Sequence, residues 1–484
     1  MAALSDRDIE VIARQIAQQL GGGAPAPGTS APRKEEPSTA AQPELGVYAS
    51  IEEAVKAAQQ AFPKYAALSL QARGRIIAAL RKTMLENASA LAKSAHEETG
   101  LGRFEDKIIK NQLVAEKTPG VEMLVPEAVT GDHGLTLCEP APFGVIGSIT
   151  PCTNPTSTII NNGIAMLAAG NTVVFNPHPS AKKCSAETVA LFNKVITAHG
   201  GPPDAVVCVA QPTIESAGQM MKHPGIRLLV VTGGGGVVKA AMESGKRAIC
   251  AGPGNPPVVV DETADIEKAA RDIVCGASFD NNVICIEEKE VIVVASVADR
   301  LIKAMTQHDA VLIDKARLPQ LEQTIFTKMA GPRGHAEINR AFIGKNAELI
   351  LSKMGMSVPS TVRLGIVEVE ETHPLLWTEQ MMPILPITRV PNADYAIDLA
   401  IQMEGYNRHT FVMHSKNLDN LSRLAKECNA SIFVKNGSSL AGLGYGGEGY
   451  SSFTIASPTG EGLTSPRSFS RWRRCVLVDH FRIV

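Results

Sequence analysis

The segment Leu228-Leu229-Val230-Val231-Thr232-Gly233-Gly234-Gly235-Gly236 (LLVVTGGGG) decides the fold class of this chain. Its four apolar residues predict a buried strand, the glycines predict a tight turn, and Val237 to about Ser244 has a helical pattern. A strand, a glycine turn and a helix in this order aim backbone N–H groups at a phosphate. Because Val238 stands where a G-x-G-x-x-G pattern needs its third glycine, a turn without a ligand fits these residues equally well.

The same order of strand, turn and helix recurs along the chain. Short apolar runs precede a Gly, Pro or Asn turn and a helical pattern at Val145–Ile149, Thr172–Phe175, Val206–Val209, Pro257–Val260 and Val291–Val294. This alternation predicts an α/β protein with parallel sheets, helices on both faces and ligands at the carboxyl ends of the strands.

Capping and pairing signals mark both ends of this body. Ser50 and Glu53 form a capping box that predicts a helix through Phe62. The apolar run Cys475–Val478 follows the basic Arg471–Arg474 and predicts a short strand suited to pairing across a subunit boundary.

The composition fits an electrically balanced protein of two or three domains. The chain has 484 residues, with 47 Lys plus Arg against 49 Asp plus Glu and a formal net charge of −2. This balance gives no reason to expect nucleic acid or an anionic membrane as a partner. We find no apolar run long enough to span a bilayer and no secretory signal. Nine cysteines without a C-x-x-C pattern indicate a reduced, cytoplasmic compartment and no metal site.

The first 46 residues have a different character. Residues 1–20 predict an amphipathic helix, with a capping box at Ser5 and Asp8 and a stop at Gly21–Gly23. Residues 21–46 are rich in Pro, Ala and Ser and predict a disordered linker. A lone helix of this length is marginal in water, so it needs a partner surface. Docking on its own protein is the simplest interpretation, but the long tether favours delivery to another one.

One cysteine follows a polar, Asn-rich turn in Gly276–Cys285 (GASFDNNVIC). A nucleophilic thiol needs such a polar and partly exposed setting. These residues alone favour a small buried core residue, as expected for Cys208 or Cys250, because most free cysteines have that role.

Five motifs in order give the chain a resemblance to the aldehyde dehydrogenase superfamily. They are TPCTNP (150–155), NPHP (176–179), AGPGNPP (251–257), SFDNNVIC (278–285) and GLGYGGEGYSSFTIASP (442–458). The resemblance runs from about residue 47 to the C-terminus. It is strongest to the CoA-acylating branch of bacterial microcompartments, the propanediol- and ethanolamine-utilisation enzymes.

The resemblance implies a domain plan. An NAD/CoA-binding, Rossmann-like domain would span residues 47–253, with a small β oligomerisation arm at 125–142. An α/β catalytic domain would span 254–447, and 448–484 would complete the oligomerisation region of a homodimer or homotetramer.

The resemblance also implies roles for single residues. Cys285 matches the nucleophile, and Asn154 matches the amide that stabilises the oxyanion. The residues placed in the NAD site, some of them beside CoA, are Thr150, Pro151, His178, Thr232, Gly233, Gly234, Gly252 and Glu379. His178 is equally well interpreted as a surface loop histidine. Cys152 replaces a serine of similar proteins, and a spectator role is favoured over an oxidation partner or a nucleophile.

Ala251 decides between hydrolysis and acyl transfer. Hydrolytic relatives carry there the glutamate of a Glu-Leu-Gly-Gly stretch, which activates water. Losing a general base costs roughly 10²–10⁴-fold in rate, whereas a thiol acceptor needs that help less. The resemblance therefore implies that propionaldehyde, CoA and NAD give propionyl-CoA and NADH through a Cys285 thioester. Acetaldehyde is the alternative substrate, and a scaffold without activity or a hydrolytic enzyme is less favoured.

The same resemblance gives the N-terminal helix a partner. Tethered helices of this kind resemble the encapsulation peptides that bring enzymes into microcompartments. We therefore expect residues 1–20 to bind a shell or core protein, and the enzyme to lie in the cytoplasm inside a bacterial microcompartment.

Overall fold

The computed structural model describes residues 45–484, so the predicted helix 1–20 and nearly all of the linker 21–46 lie outside the described residues. In the described part, helices and strands alternate as predicted. The α-helices are α1 (Ile51–Ala66), α2 (Leu70–Glu86), α3 (Ala88–Thr99), α4 (Phe104–Lys117), α5 (Pro155–Ala168), α6 (Lys182–Ala198), α7 (Ile214–Lys222), α8 (Gly235–Met242), α9 (Ile266–Ser278), α10 (Ala295–Met305), α11 (Leu318–Ile325), α12 (Ala347–Lys353), α13 (Ala393–Met403) and α14 (Leu418–Glu427).

The strands form three larger sheets and two small pairs. They are β1 (Val47–Tyr48), β2 (Glu127–Gly131), β3 (Gly134–Pro142), β4 (Val145–Thr150), β5 (Thr172–Pro177), β6 (Val206–Val209), β7 (Leu228–Thr232), β8 (Ala248–Ala251), β9 (Pro257–Val260), β10 (Glu290–Val294), β11 (Ala310–Ile313), β12 (Phe326–Lys328), β13 (Glu337–Ile338), β14 (Leu364–Glu368), β15 (Ile384–Val390), β16 (Thr410–His414), β17 (Ile432–Lys435), β18 (Ile455–Ala456), β19 (Gly462–Leu463) and β20 (Ser470–Val478).

The first sheet has the order β1-β6-β5-β4-β7-β8, and all its strands are parallel. From β4 the chain builds β5 and β6 on one side and then returns to place β7 on the other. The strand order thus reverses between β4 and β7, which opens a crevice at their carboxyl ends. In sheets of this kind ligands bind at such a switch point.

The second sheet has the order β11-β14-β15-β10-β9-β16-β17 and is also parallel throughout. Its central strands are fully buried runs of branched apolar residues, as expected for a sheet covered on both faces. The loop from α9 to β10 carries Cys285. The predicted α/β fold with parallel sheets is confirmed.

The third sheet is antiparallel, with the order β2-β3-β20. The C-terminal strand is longer than predicted, because it begins at Ser470 and pairs along the whole of β3. This described pairing is within the chain, and β20 remains an edge strand of the sheet. Gly134 has φ +112, and a Cβ there would lie 2.0 Å from the carbonyl oxygen of Leu477, so this register requires glycine.

Two predicted helix boundaries differ from the structure. The first helix continues through Pro63 to Ala66 rather than ending at Phe62, since Tyr65 is fully buried and holds the last turn in the core. Helix α8 begins at Gly235, two residues earlier than predicted. Within residues 45–484, we find no helix that combines the length and the apolar character needed to cross a membrane.

Candidate active site

The glycine turn lies at the switch point of the first sheet. Thr150 ends β4 and Thr232 ends β7, and Gly233 and Gly234 follow in the turn that leads into α8. Gly234 is exposed, and a Cβ there would meet no atom within 4 Å. The start of α8 therefore opens toward the crevice with no side-chain cap, which fits the pyrophosphate of a dinucleotide.

Two further predicted cofactor residues lie beside this crevice. Pro151 directly follows β4, and Gly252 follows β8. A Cβ on Gly252 would approach Pro458 to 3.2 Å, so the strand end packs closely against the C-terminal segment. Thr232 is held from the same side, because its Oγ1 lies 2.9 Å from Oγ1 of Thr454.

His178 follows β5 and has a structural contact of its own. Its Nδ1 accepts a hydrogen bond of 3.1 Å from the backbone N–H of Ser180 and caps a short 3₁₀ turn. Burial lowers the pKa of His178, which favours the neutral ring. Since Nδ1 is the acceptor, the proton lies on Nε2, which is then the donor that this loop offers a ligand.

Cys285, Glu379 and His409 meet around Gly254. The Gly254 N–H points at Oε1 of Glu379 over a long 3.5 Å. A Cβ on Gly254 would lie 2.8 Å from the carbonyl oxygen of Cys285 and 3.0 Å from Cγ of His409. The turn after β8 therefore brings the predicted nucleophile together with the predicted ribose ligand, and adds a histidine to them.

The thiol of Cys285 is protonated in the resting protein. Cys285 keeps some exposed surface, but desolvation by burial and then the negative charge of Glu379 raise its pKa to about 12. Lys289 opposes both effects. Its ammonium donates to the carbonyl oxygens of Asn282 (2.8 Å) and Ile284 (3.3 Å), just before the cysteine. Lys289 thus fixes the backbone just before Cys285, and its positive charge lowers the pKa of the thiol.

The Asn-rich turn before Cys285 has an uncommon backbone. Asp280, Asn281 and Asn282 all have positive φ, at 43°, 56° and 63°. Asp and Asn tolerate this left-handed region better than other residues with a Cβ. Asn281 donates to the carbonyl oxygen of Gly344 at 2.9 Å, and Asn282 donates to that of Ala277 at 2.9 Å. Buried side-chain bonds therefore hold the nucleophile loop, residues 279–285, in this shape.

Asn154 stands at the N-cap of α5 without capping it. Its Oδ1 accepts a hydrogen bond of 2.6 Å from Nζ of Lys110, and its Nδ2 donates to Oγ1 of Thr153 at 3.2 Å. The Lys110 ammonium also donates to Oδ2 of Asp280, a residue of the nucleophile loop. A chain of buried contacts thus connects the predicted oxyanion amide with the loop of Cys285.

Cys152 lies among apolar neighbours. It packs against Ala95, Ala181 and Cys184, and burial raises its pKa. These apolar contacts are consistent with the spectator role of Cys152, which stays a prediction.

A model of the aldehyde dehydrogenase family matches residues 31–464 of this sequence. The chain belongs to the aldehyde dehydrogenase family. It is 52% identical over 442 residues to the acetaldehyde dehydrogenase (acetylating) EutE of Salmonella typhimurium strain LT2, across 91% of this chain and 94% of that protein.

Solved structures show the same relationship. The propionaldehyde dehydrogenase of Rhodopseudomonas palustris, with bound CoA and an acylated cysteine, has a TM-score of 0.87 and 50% identity over 90% of this chain and 98% of its own. A propionaldehyde dehydrogenase from the Clostridium phytofermentans fucose utilisation bacterial microcompartment has a TM-score of 0.88 and 49% identity over 91% and 100%. The resemblance to CoA-acylating aldehyde dehydrogenases is confirmed, and this aldehyde dehydrogenase is an oxidoreductase of that kind.

Sequence reasoning did not find three charged or titratable groups of this aldehyde dehydrogenase site. Lys110 and His409 lie in stretches without a motif, and only the tertiary packing brings them to the site. Lys289 had a usable signal, because Glu287–Glu290 is a run of four charged residues beside the cysteine and all four are buried. Lysine and glutamate are seldom fully buried unless they are paired. A run of four such residues that leads directly into the apolar strand Val291–Val294 therefore indicates a buried polar site.

Proposed function

We propose that this aldehyde dehydrogenase oxidises a small aldehyde at Cys285 and transfers the acyl group to CoA. The observation that carries the proposal is the meeting of Cys285, Glu379 and His409 around Gly254, while Ala251 ends β8 without a carboxylate. A carboxylate at the end of β8 would serve hydrolysis. A neutral imidazole on the Gly254 turn, which also contacts the Cys285 backbone, would serve transfer to a thiol.

The first half-reaction forms a thioester on Cys285. The thiolate adds to the aldehyde carbonyl, and the amide N–H of Asn154 stabilises the oxyanion that develops. NAD, when bound, accepts the hydride. Burial and the charge of Glu379 raise the pKa of Cys285, and the charge of Lys289 opposes that rise and so favours the thiolate.

The open start of α8 and the switch-point residues would hold NAD. Thr232, Gly233 and Gly234 would lie at the pyrophosphate, Thr150 and Pro151 beside the nicotinamide ribose, and the Glu379 carboxylate would accept from its hydroxyl groups. Gly252 would line the same crevice, and the Nε2–H of His178 would donate to NAD or CoA. In this plan the first sheet and residues 47–253 bind the dinucleotide, and residues 254–447 supply the nucleophile.

His409 is the group in this site that can take the proton of the CoA thiol. It is fully buried, and its Nε2 has no hydrogen-bond partner in the described residues. Burial lowers its pKa to about 4, so the ring is neutral at neutral pH. Nδ1 of His409 lies 2.9 Å from Oγ1 of Thr410, and in the tautomer in which Nδ1 carries the proton and donates to that oxygen, Nε2 is the acceptor.

The substrate proposed is propionaldehyde, with acetaldehyde as the alternative. The two solved structures above are propionaldehyde dehydrogenases, and EutE acts on acetaldehyde by its name. The two aldehydes differ by one methylene, which a hydrophobic pocket discriminates by about 10- to 200-fold. Measuring kcat/KM for both aldehydes decides between them.

A homodimer or homotetramer is proposed from the third sheet. This sheet exposes large apolar side chains, and Val129 is 68% and Trp472 52% exposed. Large apolar side chains exposed together on one small sheet favour contact with another protein surface. The arm at 125–142 and the C-terminal segment 448–484 would therefore meet the same regions of a second copy.

We also propose that the enzyme works in the cytoplasm, inside a bacterial microcompartment entered through residues 1–20. The Clostridium phytofermentans relative comes from such a compartment. Deleting residues 1–20 should abolish co-purification with shells and leave the activity in solution intact. Unchanged co-purification would contradict this part of the proposal.

NADH formation from propionaldehyde, with and without CoA, tests the reaction itself. We expect one equivalent of NADH per active site without CoA, and sustained turnover once CoA is added. Cys285→Ser should abolish the burst, whereas the matched variant Cys152→Ser should retain it. Sustained turnover without CoA would mean that water releases the acyl group, and would contradict acyl transfer as the main reaction.

A further inference from the structure

We propose that Lys110 is a positioning residue that fixes the side-chain amide of Asn154 so that its N–H faces the reacting carbonyl oxygen. The inference rests on the proposed function, in which Asn154 stabilises the oxyanion. It concerns a residue of α4, 44 positions before Asn154 in the sequence.

The Lys110 ammonium has three acceptors for its three protons. It donates to Oδ1 of Asn154 at 2.6 Å, to the carbonyl oxygen of Thr153 at 3.4 Å, and to Oδ2 of Asp280. The lysine side chain is 2% exposed and the aspartate 0%. Water therefore does not compete for these contacts, and each keeps a defined geometry.

Donor and acceptor chemistry then fixes the amide. An ammonium group only donates, so it must face the oxygen of the amide, and a flipped Asn154 would place its NH₂ group against the cation. One proton of Nδ2 goes to Thr153 Oγ1 at 3.2 Å. The second N–H of Nδ2 makes no hydrogen bond that the described residues show, so it can donate to a ligand.

The N-cap of α5 supports the same conclusion independently. An asparagine at an N-cap normally accepts a hydrogen bond from a backbone N–H in the first turn. Asn154 makes no such bond, and its oxygen accepts from Lys110 instead. The side-chain oxygen of Asn154 thus contacts Lys110 rather than the first turn of its own helix.

Asp280 connects this orientation to the nucleophile. Its carboxylate also accepts from the backbone N–H of Arg103 at 2.6 Å and from Nζ of Lys107 at 3.1 Å. Asp280 precedes Cys285 by five residues in the nucleophile loop. Lys107 binds the same carboxylate as Lys110 but does not contact Asn154, so it provides a matched control.

A double-mutant cycle on the full-length enzyme tests the proposal. The variants are Lys110→Met, Asn154→Ala and both together, and the readout is the single-turnover rate of NADH formation from propionaldehyde without CoA. Losing an oxyanion donor costs roughly 10²–10³-fold, so we expect that loss for Asn154→Ala and at least about tenfold for Lys110→Met. In the Asn154→Ala background, Lys110→Met should slow the reaction no further.

Two controls separate positioning from structural damage. Lys107→Met should lower the melting temperature about as much as Lys110→Met, yet slow NADH formation less than about threefold. Alkylation of Cys285 by iodoacetamide needs no oxyanion stabilisation, so its rate should be the same in Lys110→Met and the wild type. The proposal would be overturned if Lys107→Met and Lys110→Met slowed NADH formation equally. It would also be overturned if Lys110→Met slowed the reaction further in the Asn154→Ala background.

Lys110→Met removes an ion-pair partner of the buried Asp280 carboxylate, which can prevent folding. In that case the double variant Lys110→Met/Asp280→Asn is compared with Asp280→Asn alone, because neither protein has a charged side chain at position 280. Equal NADH rates in this pair would also overturn the proposal. A wild type that is alkylated at Cys285 but forms no NADH from the aldehyde contradicts the proposed function rather than the role of Lys110.

Discussion

At the scale of single residues, the proposed role of His409 concerns only the second half-reaction, the transfer to CoA. Its neutral, buried imidazole can take a proton from CoA, and the steps before CoA arrives do not need it. We therefore expect His409→Asn to slow CoA-dependent turnover by about 10²–10⁴-fold, the usual contribution of a general base. The burst of NADH without CoA should stay within about threefold of the wild type, because Cys285 and Asn154 remain.

His414 provides the matched control for this prediction. It lies at the other end of β16 and is also buried, with a pKa lowered to about 4 and an Nε2 that has no partner in the described residues. His414→Asn should leave both half-reactions unchanged. A parallel loss of burst and turnover in His409→Asn would contradict the assignment, since it would indicate damage to the thioester-forming step.

The residues that the sequence predicted and those that it missed differ in a physical way. Cys285 and Asn154 lie in local motifs whose spacing can be compared with a family. Lys110 and His409 reach the site from α4 and from the start of β16, and their roles exist only after those elements pack against α5 and the turn at Gly254. No local pattern reports such packing.

At the scale of elements, the nucleophile loop has a strained left-handed backbone that positions Cys285, and buried hydrogen bonds offset that strain. Asn282 has φ 63°, donates to the carbonyl oxygens of Ala277 and Glu288, and accepts from Lys289. Asn282→Ala removes these bonds and keeps a side chain in the left-handed region. We expect it to lower the free energy of unfolding by about 3–5 kcal/mol, through the unpaired buried groups and the backbone strain. Urea unfolding at equilibrium measures this loss.

Asn282→Gly is the control, because it loses the same hydrogen bonds without the strain of a Cβ. It should be about 1 kcal/mol more stable than Asn282→Ala, after its own greater loss of chain entropy. If the alanine variant proved as stable as the glycine variant, position 282 would not have a left-handed backbone in solution.

Whole elements were easier to predict than their ends. The six apolar runs predicted as strands all lie in the two parallel sheets, as with Leu228–Val231 in β7, because strands buried on both faces need continuous apolar sequence. The C-terminal strand begins at Ser470, five residues before the predicted start. Its first half, SRWRR, is polar, and β3 rather than its own composition makes it a strand.

At the scale of the whole molecule, buried titratable groups set how stability depends on pH. Burial lowers the pKa of His414 to about 4, whereas an unfolded histidine titrates near its ordinary value of 6.5. Between these two values the unfolded chain binds the proton and the folded chain does not. The contribution of His414 to the free energy of unfolding is therefore fully present above about pH 6.5 and is lost as the pH falls toward 4.

Other buried groups act in the opposite direction. Burial raises the pKa of Glu288 and of Glu404 to about 7, so the folded chain holds protons that the unfolded chain releases between pH 4.5 and 7. The stability contributed by these carboxyl groups decreases as the pH rises through that range. The two effects partly cancel in the wild type, and its total stability curve alone does not reveal His414.

The difference between the wild type and His414→Asn isolates the histidine. Each unit of pKa shift corresponds to about 1.4 kcal/mol, so the free-energy difference between the two proteins should change by roughly 3 kcal/mol from pH 7 to pH 4. The free energy of unfolding of the wild type, relative to that of His414→Asn, should decrease as the pH falls from 6.5 to 4. In this range His414 gains a proton in the unfolded chain but not in the folded protein. Paired urea titrations at several pH values measure this difference. A difference that stays constant with pH would show that His414 takes up a proton as easily in the folded protein as in the unfolded chain.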